Sequence, residues 1–241
     1  LKPSIITEDI GIVEYGNAWK YQDELFARIT DRKLKRREIP SLPLPENFLL
    51  LCEHPHVFTL GKSGDEKNLL ANEEMLRAAN ATFFHTNRGG DITYHGPGQL
   101  VGYPLLDLDQ FFTDIHRYLR CLEEVIICVL AEYRIKGERY PGYTGVWIDA
   151  AEPTKARKIC AIGVRTSRWV TMHGWALNVN TELEYFNRII PCGIGDKQVT
   201  SMNKELGKHV ELKEVKRSVW KHFADVFECS VKQIDKARID G

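Results

Sequence analysis

The sequence has little of what marks the more specialised classes of protein. No apolar run approaches the ~20 residues of a membrane-spanning helix, since the longest, Phe48 to Cys52 and Val125 to Ala131, stop far short. There is no excess charge of either sign: 33 basic residues face 33 acidic ones. Neither nucleic acid nor a membrane surface is therefore expected as a partner. There is no Cys-x-x-Cys pair, because Cys52, Cys121, Cys128, Cys160, Cys192 and Cys229 are scattered. That pattern argues against a zinc knuckle or a redox dithiol and for reduced thiols in a cytoplasm. No secretion signal is expected either, because Glu8, Asp9 and Glu14 interrupt any apolar core. The absence of an initiator Met points to a trimmed N-terminus. No repeat or low-complexity tract is present.

What is there is ordinary globular material, 43% hydrophobic and 27% charged over 241 residues. That length suits one domain spanning residues 1–241. Asn17 can cap a helix on which Tyr21, Leu25 and Ile29 recur every four residues. The helix ends in the basic run Lys33 to Arg37, where its dipole favours cations. The run reads as a solvated helix end, with a docking site for an acidic carrier protein as the sharper alternative. Phe48 to Cys52 and Val57 to Leu60 read as strands around His54-Pro55-His56, a pair of histidines with little claim to a metal. Asn72 and Asp114 are N-caps, the first of a short helix, the second of a long one with Ile115, Leu119, Leu122, Ile126, Val129 and Tyr133 as a stripe. Cys121 and Cys128 are assigned to the core.

Thr82 to His85 and Ile92 to Tyr94 flank a glycine turn, Leu100 to Leu108 is extended, and Thr144 to Asp149, Lys158 to Arg165 and Thr171 to Val179 form an antiparallel meander. A last helix runs from Leu212 to about Cys229. Strands broken by a few long helices, without regular alternation, predict an α+β domain with a largely antiparallel or mixed sheet. Two nucleotide-binding patterns fail. Position 56 is His where a P-loop ending at Gly61-Lys62-Ser63 needs Gly, and Val101 replaces the third glycine of a dinucleotide fingerprint starting at Gly96.

The densest chemical signal is Arg88-Gly-Gly-Asp-Ile-Thr-Tyr-His-Gly-Pro-Gly-Gln99, with four glycines in twelve residues. Such a loop lets backbone approach a ligand closely. Downstream stand Lys158-Ile-Cys-Ala-Ile-Gly163, His173-Gly-Trp-Ala-Leu-Asn-Val179 and Pro191-Cys192-Gly193. A lone cysteine is more often a small buried hydrophobe than a nucleophile, though Pro191 and Gly193 favour an irregular, accessible setting for Cys192. Lys158, Cys160 and Ile162 share a face if β alternation holds, which makes Cys160 a rival thiol assigned to packing. His95 and His173 are candidates for proton transfer, with positioning the plainer reading.

Taken together and in order, these four segments resemble the lipoyl(octanoyl) transferases. The resemblance covers the chain from Arg88 to Met202 and implies the catalytic-domain fold of biotin and lipoate protein ligases. It implies that Cys192 carries the acyl group as a thioester and that Lys158 lowers its pKa. It also implies that Arg88, Gly89, Gly90, Asp91, Ile92, Thr93, Tyr94, His95, Ala161, Ile162, Gly163, His173, Gly174, Trp175 and Ala176 bind substrate. Trp175 departs from the family, where a smaller aliphatic residue is common, and so bears on the fit of the acyl chain; Cys160 adds a thiol near Lys158. The implied reaction moves an octanoyl or lipoyl group from acyl carrier protein to the target lysine of lipoyl domains. The acceptors are the acyltransferase subunits of 2-oxoacid dehydrogenases and the glycine cleavage H protein. Neither ATP nor metal is implied. The alternatives are an ATP-dependent lipoate-protein ligase and a non-catalytic acyl-binding or carrier-docking protein.

Overall fold

A computed structural model describes residues 2–190 and 198–234. The chain runs β1 (Ser4–Ile12), α1 (Tyr15–Glu38), β2 (Asn47–Glu53), β3 (Val57–Leu60), α2 (Glu73–Ala78), β4 (Thr82–His85), β5 (Ile92–His95) and β6 (Gln99–Leu105). It continues through α3 (Ile115–Glu132), β7 (Val146–Ile148), β8 (Arg157–Ser167), β9 (Val170–Asn178), β10 (Gln198–Val199), α4 (Met202–Leu206), α5 (Leu212–Val226) and β11 (Ser230–Gln233). Among the described residues, eight strands form a mixed sheet in the order β10-β8-β9-β6-β2-β1-β11, with β7 paired to β8. The expected α+β class with a mixed sheet is what the chain adopts.

β2 shows why the sheet sits centrally. Phe48, Leu50 and Cys52 face α1, whereas Leu49 and Leu51 face α3 and α5. All five are buried, so the strand reads as a continuous apolar run because it is covered on both faces. α1 lays Ala18, Leu25 and Ile29 on one side; α3 and α5 lay Leu122, Ile126, Val129, Val219 and Phe223 on the other. Asn72 and Asp114 make the expected caps, accepting from the N–H groups of Met75 and Arg117 at 2.9 and 3.0 Å.

Several boundaries differ from the sequence reading, each for a physical reason. α1 starts at Tyr15, two residues before Asn17, because Tyr15 and Ala18 are themselves part of its buried face. β1 and β11 were not expected, since charge interrupts β1; yet Glu8 is buried and accepts the Tyr21 hydroxyl at 2.9 Å. β4 and β5 do not pair with each other, because β3 lies between them in a small separate sheet. β8 runs on to Ser167, and the turn to β9 is only Arg168–Trp169, both left-handed (φ +51° and +61°) as a type I′ hairpin requires. Cys121 and Cys128 are only half-buried; Cys121 packs against the core, whereas Cys128 lies beside Glu124.

The basic run also divides. Lys33 is buried, with its Nζ 2.5 Å from Asp107 and 2.7 Å from Asp109, so it is a structural cation rather than a docking residue. It lies about 27 Å along the helix from Tyr15, by the rise of 1.5 Å per residue. Removing it strands Asp107 in the interior. Lys33→Met is expected to cost roughly 3–5 kcal/mol in urea unfolding; a loss below about 1 kcal/mol, typical of exposed pairs, would show that the pair is not shielded.

Candidate active site

β5, β6, β8 and β9 meet around a cavity of about 480 Å³. Its first wall is the glycine-rich loop. Arg88 is buried, and its Nη2 donates to the carbonyl and hydroxyl of Thr59 at 2.6 and 3.0 Å. The loop crosses β8 where Gly89 N–H donates to Val164 O at 2.9 Å. Only glycine allows this approach at 163: a Cβ there would stand 2.8 Å from Gly89 O. A Cβ at 174 would stand 2.1 Å from Gly102 O, so β9 meets β6 equally closely.

The histidines are neutral fixtures. Gln99 Nε2 donates to Tyr94 O and to Asn178 Oδ1, so its Oε1 accepts from His95 Nδ1 at 2.8 Å. His95 Nε2 is then the acceptor toward the Thr59 hydroxyl, 3.4 Å away. Burial pulls the pKa of His95 down to about 3. Burial does the same to His173, also about 3, aided by Arg88 and Arg165. His173 sits at φ +59°, its Nε2 2.6 Å from Asn87 Oδ1 and its N–H bonded to Gln22 Oε1. Tyr15 stacks on His95 at 6.0 Å and is pushed up to about 12 by burial. His54, held between Val13 O and the Tyr103 hydroxyl, falls to about 4 by burial. These values fit positioning and not proton transfer at neutral pH.

They also carry a prediction. Above pH ~6.5 His54, His95 and His173 are neutral folded or unfolded; below it the unfolded chain binds protons that the folded one refuses. Stability should fall as pH drops from ~6.5 toward the folded values, by up to about 1.4 kcal/mol per pH unit for each histidine. Urea midpoints between pH 7.5 and 5 read the slope; a flat series would mean that these rings protonate inside the fold.

Of the residues singled out from sequence, Arg88 to Thr93, His95, Lys158, Ala161 to Gly163 and His173 to Ala176 all line this one cavity. Tyr94 does not. Its ring lies on the other face of β5 against Phe58, Tyr185 and Phe186, and its hydroxyl is 2.7 Å from His56 Nδ1. Trp175 lines the cavity while its indole packs over Gly102 and toward Phe223. Cys192 lies outside the described residues. The chain on either side of that segment is tied down: Ile190 N–H donates to Asn68 O at 2.8 Å, β10 pairs Val199 with Lys158, and Thr200 N–H donates to Lys158 O at 2.9 Å.

Lys158 and Cys160 do not share a face. Against β7, Cys160 pairs with Val146 and Lys158 with Trp147, so Ile159 is an extra residue in the register. Lys158 thereby reaches the cavity, while Cys160 is 1% exposed in the core and burial pushes its thiol pKa well up. Sequence reasoning missed Tyr15, Tyr103, Asn178, Ile115 and Leu119 among the lining residues. Ile115 and Leu119 carried a signal, being on the apolar stripe of α3 yet in its first turns. No group of three or more metal-binding side chains occurs among the described residues, and no described helix is long and apolar enough to cross a membrane.

The model of the lipoyl protein ligase A/B catalytic domain matches residues 14–224. The chain belongs to that family. It is 57% identical to an octanoyltransferase of Christiangramia forsetii, over 96% of this chain and 99% of that one. It is 58% identical to an octanoyltransferase of Flavobacterium johnsoniae, over 96% and 100%. Among solved structures, lipoate-protein ligase A bound with ATP superposes with a TM-score of 0.69, covering 98% of this chain and 90% of that one at 14% identity. A bi-partite lipoate protein ligase from Thermoplasma acidophilum gives 0.67 over 98% and 87%, also at 14%. At that identity the likeness shows the ligase fold and nothing of the reaction.

Proposed function

We propose that this chain is an octanoyltransferase of protein lipoylation, acting as one catalytic domain. It takes an octanoyl group from an acyl carrier protein thioester onto Cys192 and passes it to a lysine amine of a lipoyl domain. The observation that carries this reading is the 57–58% identity to octanoyltransferases along their whole length. The geometry supports it, because three separated segments of the family pattern converge on one cavity within the ~300–1,000 Å³ range of small-molecule sites.

In the first step a sulfur–carbon bond forms to Cys192 and the carrier's thioester bond breaks, its thiolate leaving to be protonated. In the second, the lysine nitrogen bonds to the acyl carbon, Cys192 leaves, and the amine loses one proton. Lys158, on the cavity wall, is the group we assign to both steps: as an ammonium it stabilises the Cys192 thiolate and gives a proton to the departing carrier thiolate, and as the neutral amine so formed it receives the proton lost by the incoming lysine. The chain returning from Cys192 rejoins the sheet alongside Lys158, which favours the pairing. Thioester exchange is nearly isoenergetic and amide formation runs downhill, so the reaction asks for neither ATP nor a metal. Arg88 and the neutral His95 and His173 shape and anchor the pocket. The same reading places the enzyme in the cytoplasm, with lipoyl domains of 2-oxoacid dehydrogenases and the glycine cleavage H protein as acceptors.

Transfer from octanoyl-carrier protein to a lipoyl domain, followed with and without ATP, tests the reading. Equal transfer in both is expected. Transfer only with ATP and free octanoate would instead indicate ligase chemistry.

A further inference from the structure

No step above uses the aromatic cluster beside Lys158. Trp147 pairs directly across the β7–β8 ladder with Lys158, and the lysine Nζ lies 4.7 Å from the centroid of the indole. The ring is 2% exposed. Tyr140 and Tyr143 close on it, with centroids at 5.1 and 5.9 Å. The backbone beneath is fixed: Trp147 exchanges both hydrogen bonds with Glu138, at 2.8 and 2.9 Å, and Gly145 N–H donates to the buried Glu123 at 3.0 Å.

The face of an indole attracts an ammonium through its quadrupole, and the attraction grows when the pair is shielded from water. A lysine side chain otherwise moves freely about several bonds, and its charge acts on a neighbour only when it is held nearby. The extra residue at Ile159 is what turns Lys158 toward both the ring and the cavity.

We propose that Trp147 is a positioning residue for Lys158: its indole face holds the ammonium in one orientation at the cavity wall, where it acts on the nucleophile. This rests on the reading that Lys158 serves Cys192, and the test separates the two. The measurements are iodoacetamide labelling of Cys192 across pH and single-turnover octanoyl transfer, in wild type, Trp147→Phe, Trp147→Leu, Lys158→Met and the Lys158→Met/Trp147→Leu pair.

Trp147→Leu is expected to slow labelling at pH 7 about three- to tenfold and to displace the profile to higher pH, whereas Trp147→Phe, which keeps an aromatic face, stays within about twofold. In the Lys158→Met background the Leu change should add nothing, because the partner is gone. Equal impairment by Phe and Leu, or a Leu effect that persists without Lys158, would overturn the inference in favour of packing. A readout without substitution guards against a variant that fails to fold. In the wild type, the Lys158 ε-methylene protons should resonate upfield through the ring current of Trp147, and an ordinary position would overturn the contact. An unchanged labelling profile in Lys158→Met alone would remove the role of Lys158 itself, and the inference with it; that outcome differs from loss of the aromatic effect with the Lys158 effect intact.

Discussion

Cys192→Ser is expected to abolish octanoyl transfer, while Cys160→Ser keeps most of it. The two thiols are only superficially alike. Cys160 stands two residues from Lys158, yet the extra residue in the β8 register sends it into the core, where burial holds its thiol protonated. A buried thiol of that kind is a small hydrophobe; serine in its place puts a hydroxyl among apolar neighbours at a cost of about 1–3 kcal/mol in stability. Turnover per folded molecule should therefore survive. Cys192 stands between Pro191 and Gly193 and is the thiol we assign as the nucleophile. A serine oxygen there is a far weaker nucleophile at neutral pH than a thiolate, and losses beyond a thousandfold are expected. Transfer assays corrected for folded fraction decide it. If Cys160→Ser were the dead variant, the nucleophile would have to be reassigned.

Lys158 is expected to matter in two separable ways. A free thiol has a pKa near ~8.5 and is only a few per cent thiolate at neutral pH, so losing a nearby cation slows its alkylation. Lys158→Met should cut Cys192 labelling at pH 7 by about tenfold and move the profile to higher pH. Its transfer rate should fall further, by about a hundredfold or more, because the amine's proton also loses its acceptor. Lys158→Arg keeps the charge but scarcely releases a proton, so it should restore labelling and leave transfer low. Full turnover in the Arg variant would eliminate the proton-transfer role. An unchanged labelling profile in the Met variant would eliminate the electrostatic one.

Much of this molecule could be read from its residues, and the failures have causes. Asn72 and Asp114 announce helix starts because the capping interaction is local, and β2 announces a strand covered on both faces because its apolar run is unbroken. β1 stayed hidden because Glu8 and Asp9 break its pattern, although the fold satisfies Glu8 with the Tyr21 hydroxyl and Asp9 with Lys216. The site was legible as segments: its glycines, Arg88, His95 and Lys158 stand in motifs that converge on one cavity. The resemblance took Tyr94 with its neighbours, but successive residues of a strand face opposite ways, so Thr93 lines the cavity and Tyr94 turns away. Alternation could not reveal the register shift that parts Lys158 from Cys160, because a bulge is set by the partner strand. Nor could it find Tyr15 or Tyr103, which belong to the site only after α1 and β6 pack beside it.

In the proposed reaction the acyl group passes through Cys192 without nucleotide activation. Intact-protein mass spectrometry after mixing with octanoyl-carrier protein, in the absence of ATP, tests it most directly. One octanoyl adduct is expected, mapped to Cys192 by peptide analysis and lost when a lipoyl domain is added, with the mass appearing on the acceptor lysine. No adduct without ATP, or an adduct on Cys160 that chases to the lipoyl domain, would contradict it.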